Sequence, residues 1–166
     1  MTDQGVTPDR AAAAARQLAD AIGADAVRTG AAVAAHYGHD EALTAAPHLP
    51  PAVVLPASTA DVARIVEVAA EHGVPLTARG SATGMSGACI PRPGGIVVSF
   101  ERMDAIVEID EANHVAVVQP GVTLAQLDEA AAARGLVYPV FPGESSASLG
   151  GNVATNAGGM RAVRYG

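Results

Sequence analysis

Apolar and polar positions change rhythm near residue 50. Before it the chain is Ala-rich and helical: AAAAARQLADAI runs to Ile22, Thr7 can cap the helix, Pro8 suits its first turn and Gly23 stops it. A second, weaker helix is expected over roughly 25–36. HYGHDEALTAAPHLPP (36–51) reads as an irregular connection, because its prolines forbid a helix. AVVL (52–55) is then a short buried strand. Ser58 and Asp61 form a capping box, and Val62, Ile65, Val66 and Ala69 recur at helical spacing up to Gly73. VPLTA (74–78) is the next strand, and strand, helix and strand in such close order predict a right-handed parallel βαβ unit.

Further on, GIVVSF (95–100) is a strand, and AIVEI (105–109) and HVAVVQ (114–119) flank the turn DEAN as an antiparallel hairpin. Pro120 and Gly121 end it. Thr123 and Gln126 form a second capping box, opening a helix with Leu124, Leu127 and Ala131 on one face and Gly135 as its stop. LVYPV (136–140) predicts a last short strand, with a short helix from about residue 150. Parallel and antiparallel elements mix, so the fold class is α+β rather than a doubly wound sheet. The chain divides into an N-terminal helical segment, 1–49, and a second unit, 50–166.

Composition narrows the function classes. The chain has 166 residues, 49% of them hydrophobic but only 3% aromatic, so a single core must be built from Val, Ile, Leu and Ala. No apolar run approaches the roughly 20 residues of a membrane span, and the polar N-terminus lacks a signal-peptide profile, so a cytoplasmic location is expected. Cys89 is the only cysteine, which excludes an internal disulfide and a cysteine-rich zinc site. The net charge is −7 and the chain contains no lysine. That excludes a P-loop and a Schiff-base enzyme, and a nucleic-acid partner is disfavoured for want of a basic stripe.

Two glycine-rich segments remain. In ARGSATGMSGACIPRPGG (78–95), the hydroxyls of Ser81, Thr83 and Ser86 alternate with Gly80, Ala82, Gly84 and Gly87. Such a backbone can approach a ligand closely and aim successive N–H groups at one anion, with Arg79 adding charge, so the segment reads as a diphosphate cradle. Ala82, Gly84 and Gly87 mimic a dinucleotide fingerprint. The fingerprint needs a helix after its last glycine, and residues 88–95, with Pro91 and Pro93 among them, leave no room for one. FPGESSASLGGNVATNAGGM (141–160) sets three serines, Thr155, Asn152 and Asn156 among glycines, a composition suited to an anionic or flat hydrogen-bonding ligand. Either segment alone would read as a linker. Two long ones, each following a buried strand, point to function.

RGSATGMSGACIP resembles the first flavin-binding loop of the FAD-linked oxidases of the vanillyl-alcohol oxidase type, the PCMH-type FAD-binding domain, and PGESSASLGGNVATNAGGMRAVRYG resembles their second loop. The likeness runs from about residue 50 to the end and is greatest to the glycolate oxidase FAD-linked subunit and the D-lactate dehydrogenases. It implies that Arg79, Gly80, Ser81, Ala82, Thr83 and Gly84 wrap the FAD diphosphate. Pro142, Gly143, Ser146, Ser148, Gly150, Gly151 and Asn152 would lie along diphosphate, ribityl chain and flavin, with Thr155, Asn156 and Gly158 behind them. The first loop has no His, and Cys89 lies beyond its diphosphate positions, so non-covalent FAD is expected. The implied activity is oxidation of a small 2-hydroxy acid to the 2-oxo acid. Members of the family continue well past the second loop, so the resemblance covers the N-terminal βαβ subdomain and the start of the second, and the isolated chain is expected to be inactive. An inactive fragment, a homo-oligomer and a subunit completed by another chain all stay open.

Other candidates are weaker. His36, His39 and Asp40 could ligate a metal if helical, though solvated loop histidines are commoner. Cys89 reads as a small buried hydrophobe more readily than as a redox thiol. Glu144 could be a base, but reads more readily as a solvated loop carboxylate or as one bonded to a backbone amide. Asp128 and Glu129 read as an ordinary solvated helix face.

Overall fold

A computed structural model describes residues 8–165; the capping role expected of Thr7 falls outside them. Helix α1 (Pro8–Ile22) leads into short 3-10 turns around strand β1 (Val27–Thr29). Then come β2 (Ala52–Val54), α2 (Thr59–His72), β3 (Leu76–Arg79), β4 (Ile96–Ser99), β5 (Ile106–Asp110), β6 (Val115–Val118), α3 (Leu124–Ala132), α4 (Leu149–Ala154) and α5 (Ala162–Tyr165).

Four strands form one sheet in the order β1-β2-β4-β3, and β5 with β6 forms a separate antiparallel pair. The expected βαβ unit is present, but β4 lies between its two strands and pairs parallel with both: Val53 and Thr77 each sit opposite Val97. The α+β class follows, because β1 joins β2 antiparallel.

The helix expected over 25–36 is not there. Local alanine content favours a helix, but β2 would otherwise present an open edge, and pairing of Val27–Thr29 along it overrides a weak intrinsic preference. Gly30, at φ 57°, turns the chain away. LVYPV (136–140) is likewise not a strand: Pro139 offers no N–H to a ladder, and Tyr138 packs against a core cluster instead.

Both capping boxes form. Ser58 Oγ accepts from Asp61 N–H at 3.1 Å while Asp61 accepts from Ser58 N–H, also at 3.1 Å. Thr123 and Gln126 repeat the arrangement at α3. The buried face of α2 is Ile65, Val68 and Ala69; Val66, expected on that face, is 53% exposed. Ala14, Ala15 and Leu18 of α1 join Ile65 and Val68 over one side of the sheet. Tyr37 packs with Val53, Leu55 and Val97 on the other. A third cluster, of Val122, Leu124, Leu127 and Leu149, ties α3 to α4 under the β5–β6 hairpin.

Candidate cofactor site

The first loop leaves the carboxyl end of β3. Arg79, the last strand residue, is 7% exposed; its Nη1 donates to the His39 carbonyl at 2.7 Å and its guanidinium lies 5.7 Å from the centre of the Tyr37 ring. Burial pulls its pKa down from the ordinary arginine value. The residue sits at the base of the loop, where it too lines the cleft described next. Gly80 and Ser81 follow along the wall of a cleft of about 510 Å³, which Phe100, Glu101, Gly121 and Thr123 also line. Ala82 is buried in the left-handed region at φ 56°, unusual for a residue with a Cβ. Thr83 is half-buried. Gly84 faces open space, with no atom within 4 Å of the place a Cβ would take. No helix separates Gly87 from β4, as the rejection of the dinucleotide fingerprint requires.

The second loop crosses the entrance of α3. There the N–H groups of Leu124 and Ala125, which a helix cannot satisfy internally, donate to the carbonyls of Ala147 and Ser145. Leu149 and Gly150 N–H donate in turn to Val122 and Pro120. Gly150 is required by that crossing, since a Cβ would stand 2.6 Å from the Pro120 Cβ. Upstream, Pro142 is half-buried and Gly143, at φ 99°, faces open space. Glu144 Oε1 accepts from both the N–H and the hydroxyl of Ser146, each at 2.8 Å, and these bonds hold its carboxyl below the usual range. The carboxylate is exposed as well as amide-bonded, as the two non-catalytic readings expect.

Ser148 joins the two loops. It precedes α4 but does not cap it; its Oγ accepts from Ser81 N–H at 3.3 Å and occupies the space a Cβ on Gly80 would need. Gly151 lies next to the same hydroxyl. Arg79, Gly80, Ser81, Ser148 and Gly151 are therefore gathered at one place. Asn152 is 9% exposed, and its buried Nδ2 has no hydrogen-bond partner. Thr155 Oγ1 donates to Gly151 O, Asn156 is exposed at φ 52°, and Gly158 packs near Ala162; these three serve their own loop.

Sequence reasoning passed over a polar network beside the cleft. Glu101 accepts from Tyr37 OH at 2.9 and 3.1 Å and from Ser99 Oγ at 3.2 Å, with Arg28 3.6 Å away. Burial, then the bond to Glu101, raises the Tyr37 pKa. Glu101 stands at a spacing that suits a ribose-binding acid in a dinucleotide fold, a reading that falls with the missing helix; its bonds to Tyr37 and Arg28 come from a distant segment that the local sequence does not mark. His36 stacks on Tyr37, and Asp40 directs both carboxylate oxygens to backbone amides, so the H-x-x-H-D motif is not gathered into a metal-ligating group among the described residues.

Residues 50–166 match the sequence profile of the family described as FAD binding domain. The chain belongs to that family. It is 52% identical over 150 residues to an uncharacterized FAD-linked oxidoreductase of Mycobacterium tuberculosis strain H37Rv, covering 90% of this chain and 33% of the relative. To a D-lactate dehydrogenase of Anaerostipes hadrus it is 42% identical, over 78% of the chain and 27% of the relative. To a glycolate oxidase subunit of Bacillus subtilis it is also 42% identical, over 71% and 25%. Its fold matches crystal structures of alkyldihydroxyacetonephosphate synthase, with a TM-score of 0.83 at 20% identity over 93% of the chain and 31% of the other, and of p-cresol methylhydroxylase, with 0.77 at 25% over 90% and 30%. The α+β architecture is that of the PCMH-type FAD-binding domain, and the chain spans a third or less of the length of these relatives.

FAD is the cofactor of this domain, and the residues present fit it. The two loops meet, open space lies above Gly84 and Gly143, and a buried amide donor at Asn152 has no protein partner.

Proposed function

We propose that this chain is the cofactor-binding part of an FAD-dependent oxidoreductase that oxidises a 2-hydroxy acid, of glycolate or D-lactate type, to the 2-oxo acid. The observation that carries the proposal is the meeting of the glycine-rich loops at Gly80 and Ser148. A dinucleotide's paired phosphates need close backbone approach and few side chains at one point, and Gly80 and Gly151, both beside Ser148, keep side chains away from this junction. Residues 79–84 would hold the diphosphate. Pro142, Gly143, Ser146, Ser148, Gly150, Gly151 and Asn152 would run beside it toward the flavin, with Thr155, Asn156 and Gly158 supporting them. Bound FAD supplies a hydride acceptor; the protein contributes binding, orientation and exclusion of water.

The D-lactate dehydrogenase and glycolate oxidase relatives support the 2-hydroxy acid. Attachment is non-covalent in this reading: burial raises the thiol pKa of Cys89 and so disfavours its nucleophilic form. In this reading residues 50–166 form the cofactor unit and 1–49 an N-terminal segment, of which α1 and β1 pack against it. The location is cytoplasmic, consistent with the lack of a helix long and apolar enough to cross a membrane among the described residues. A second reading, a binding part completed by another chain, is favoured by one feature. An apolar cleft of about 650 Å³ beside β6 and α3, lined in part by the exposed Val115, Val137 and Val153, lies open.

The test is gel filtration of the purified chain after incubation with FAD, followed by acid precipitation. The expected result is flavin co-eluting with protein and released by acid. Failure to retain any flavin removes the cofactor proposal, and flavin left in the precipitate removes its non-covalent part. The substrate is tested by joining the chain to the remainder of a homologous oxidoreductase and adding D-lactate or glycolate anaerobically; bleaching of bound flavin by neither acid refutes it.

A further inference from the structure

The first loop, residues 80–91, contains no helix or strand, and ordering a glycine-rich segment carries a high conformational entropy cost. On one side Ser148 holds it. On the other side lies a segment outside the family match, residues 38–48, itself closed by His48 N–H donating to Gly38 O at 2.8 Å and rooted in the core by Tyr37. This segment touches the loop at three levels. Arg79 reaches the His39 carbonyl at the base, Glu41 N–H donates to the Gly84 carbonyl at 3.0 Å in the middle, and Asp40 Oδ2 accepts from Cys89 N–H at 3.4 Å at the far end.

We infer that Asp40 is a positioning residue for the cofactor loop. Asp40 is 7% exposed, and its other carboxylate oxygen accepts from Ala42 N–H at 3.1 Å. That second bond fixes the turn that aims the intervening Glu41 N–H at Gly84. One buried carboxylate thus holds the loop's far end directly and its midpoint through Glu41, while Arg79 supplies a nearby positive charge. Asparagine is nearly isosteric but has a single carbonyl oxygen, so it cannot accept from both amides in the same geometry. The inference rests on residues 79–84 being a flavin-contacting loop.

The experiment compares the wild-type chain with Asp40→Asn, Asp40→Ala and, as a control, the exposed Asp128→Asn. Three quantities are measured: FAD dissociation constant by quenching of flavin fluorescence, melting temperature, and amide hydrogen exchange at Glu41 and Cys89. Asp40→Asn should weaken FAD binding about tenfold, the effect of losing roughly one hydrogen bond, with faster exchange at one or both amides and a melting temperature lower by only a few degrees. Asp40→Ala should weaken binding further, and Asp128→Asn should behave as wild type. Unchanged FAD affinity in both Asp40 variants overturns the inference, as does weakened affinity without a change in exchange. If both variants unfold, Asp40 is a structural residue and the inference fails. A wild-type chain that binds no FAD overturns instead the cofactor reading on which it rests.

Discussion

Replacing Gly80 by alanine tests the loop junction most directly. The new Cβ would overlap Ser148 Oγ and lie 3.1 Å from Ser148 Cβ. The hydroxyl can rotate away, but doing so abandons its bond from Ser81 N–H, a loss of about 0.5–1.5 kcal/mol. The Cβ–Cβ pinch remains, and over-packing of this kind costs about 1–3 kcal/mol. The combined cost is about 1.5–4.5 kcal/mol, which for a chain of this size lowers the melting temperature by about 3–18 °C. Any part of it taken up by spreading the loops weakens FAD binding, tenfold for each 1.4 kcal/mol or so. Circular-dichroism melts and flavin titrations read the two effects. The control is Ser148→Gly, which removes both contacted atoms and, because Ser148 does not cap α4, costs only about 1 kcal/mol by itself. Combined with Gly80→Ala it should recover about 1–3 kcal/mol relative to the sum of the single changes. Strict additivity, or a Gly80→Ala protein that melts and binds like wild type, refutes the junction.

Gly84→Val makes the opposite case: no atom lies near its Cβ position, so stability should stay within about 0.5 kcal/mol of wild type while retained flavin is lost, and unchanged flavin content would remove Gly84 from the site. Ser58→Ala breaks a complete capping box and should cost about 1 kcal/mol in urea melts with no change in FAD affinity; a neutral result would show that the cap contributes nothing. Burial raises the pKa of both Cys89 and Tyr37 from ordinary values of 9.0 and 10.0. The folded chain then keeps protons that the unfolded chain releases, so this stabilisation is complete below pH 9.0 and is lost as pH rises through the raised values. Tyr37→Phe should flatten the alkaline decline of stability, and parallel pH profiles for the two proteins would contradict the assignment.

What the sequence made legible is what neighbouring residues decide among themselves. Ser58 with Asp61 and Thr123 with Gln126 complete their bonds within a single turn, so both helix starts can be located before any tertiary contact is known. β1 could not be located that way, since three residues become a strand only because β2 offers them an edge. The insertion of β4 between β2 and β3 is a long-range pairing with no local mark. The loops were visible as glycine-rich runs, yet the Gly80–Ser148 contact joins residues 68 apart, and the bonds from Tyr37 to Glu101 and from Cys89 to Asp40 come from other segments. Val66 fitted the helical period and is exposed all the same, because the width of a buried face is set by what packs on it.

The sheet order also bears on how the protein emerges from the ribosome. β4 is the shared neighbour of β2 and β3 yet is made after both, so no parallel pairing can begin until residues 96–99 have left the exit tunnel. At roughly 5–20 residues per second, the stretch from Arg79 to Ser99 takes roughly 1–4 s to translate. For that interval the nascent glycine-rich bend lacks the strand that will flank its base. Synonymous codon changes that slow translation across residues 80–95 would prolong this exposed state without altering a single contact in the finished protein.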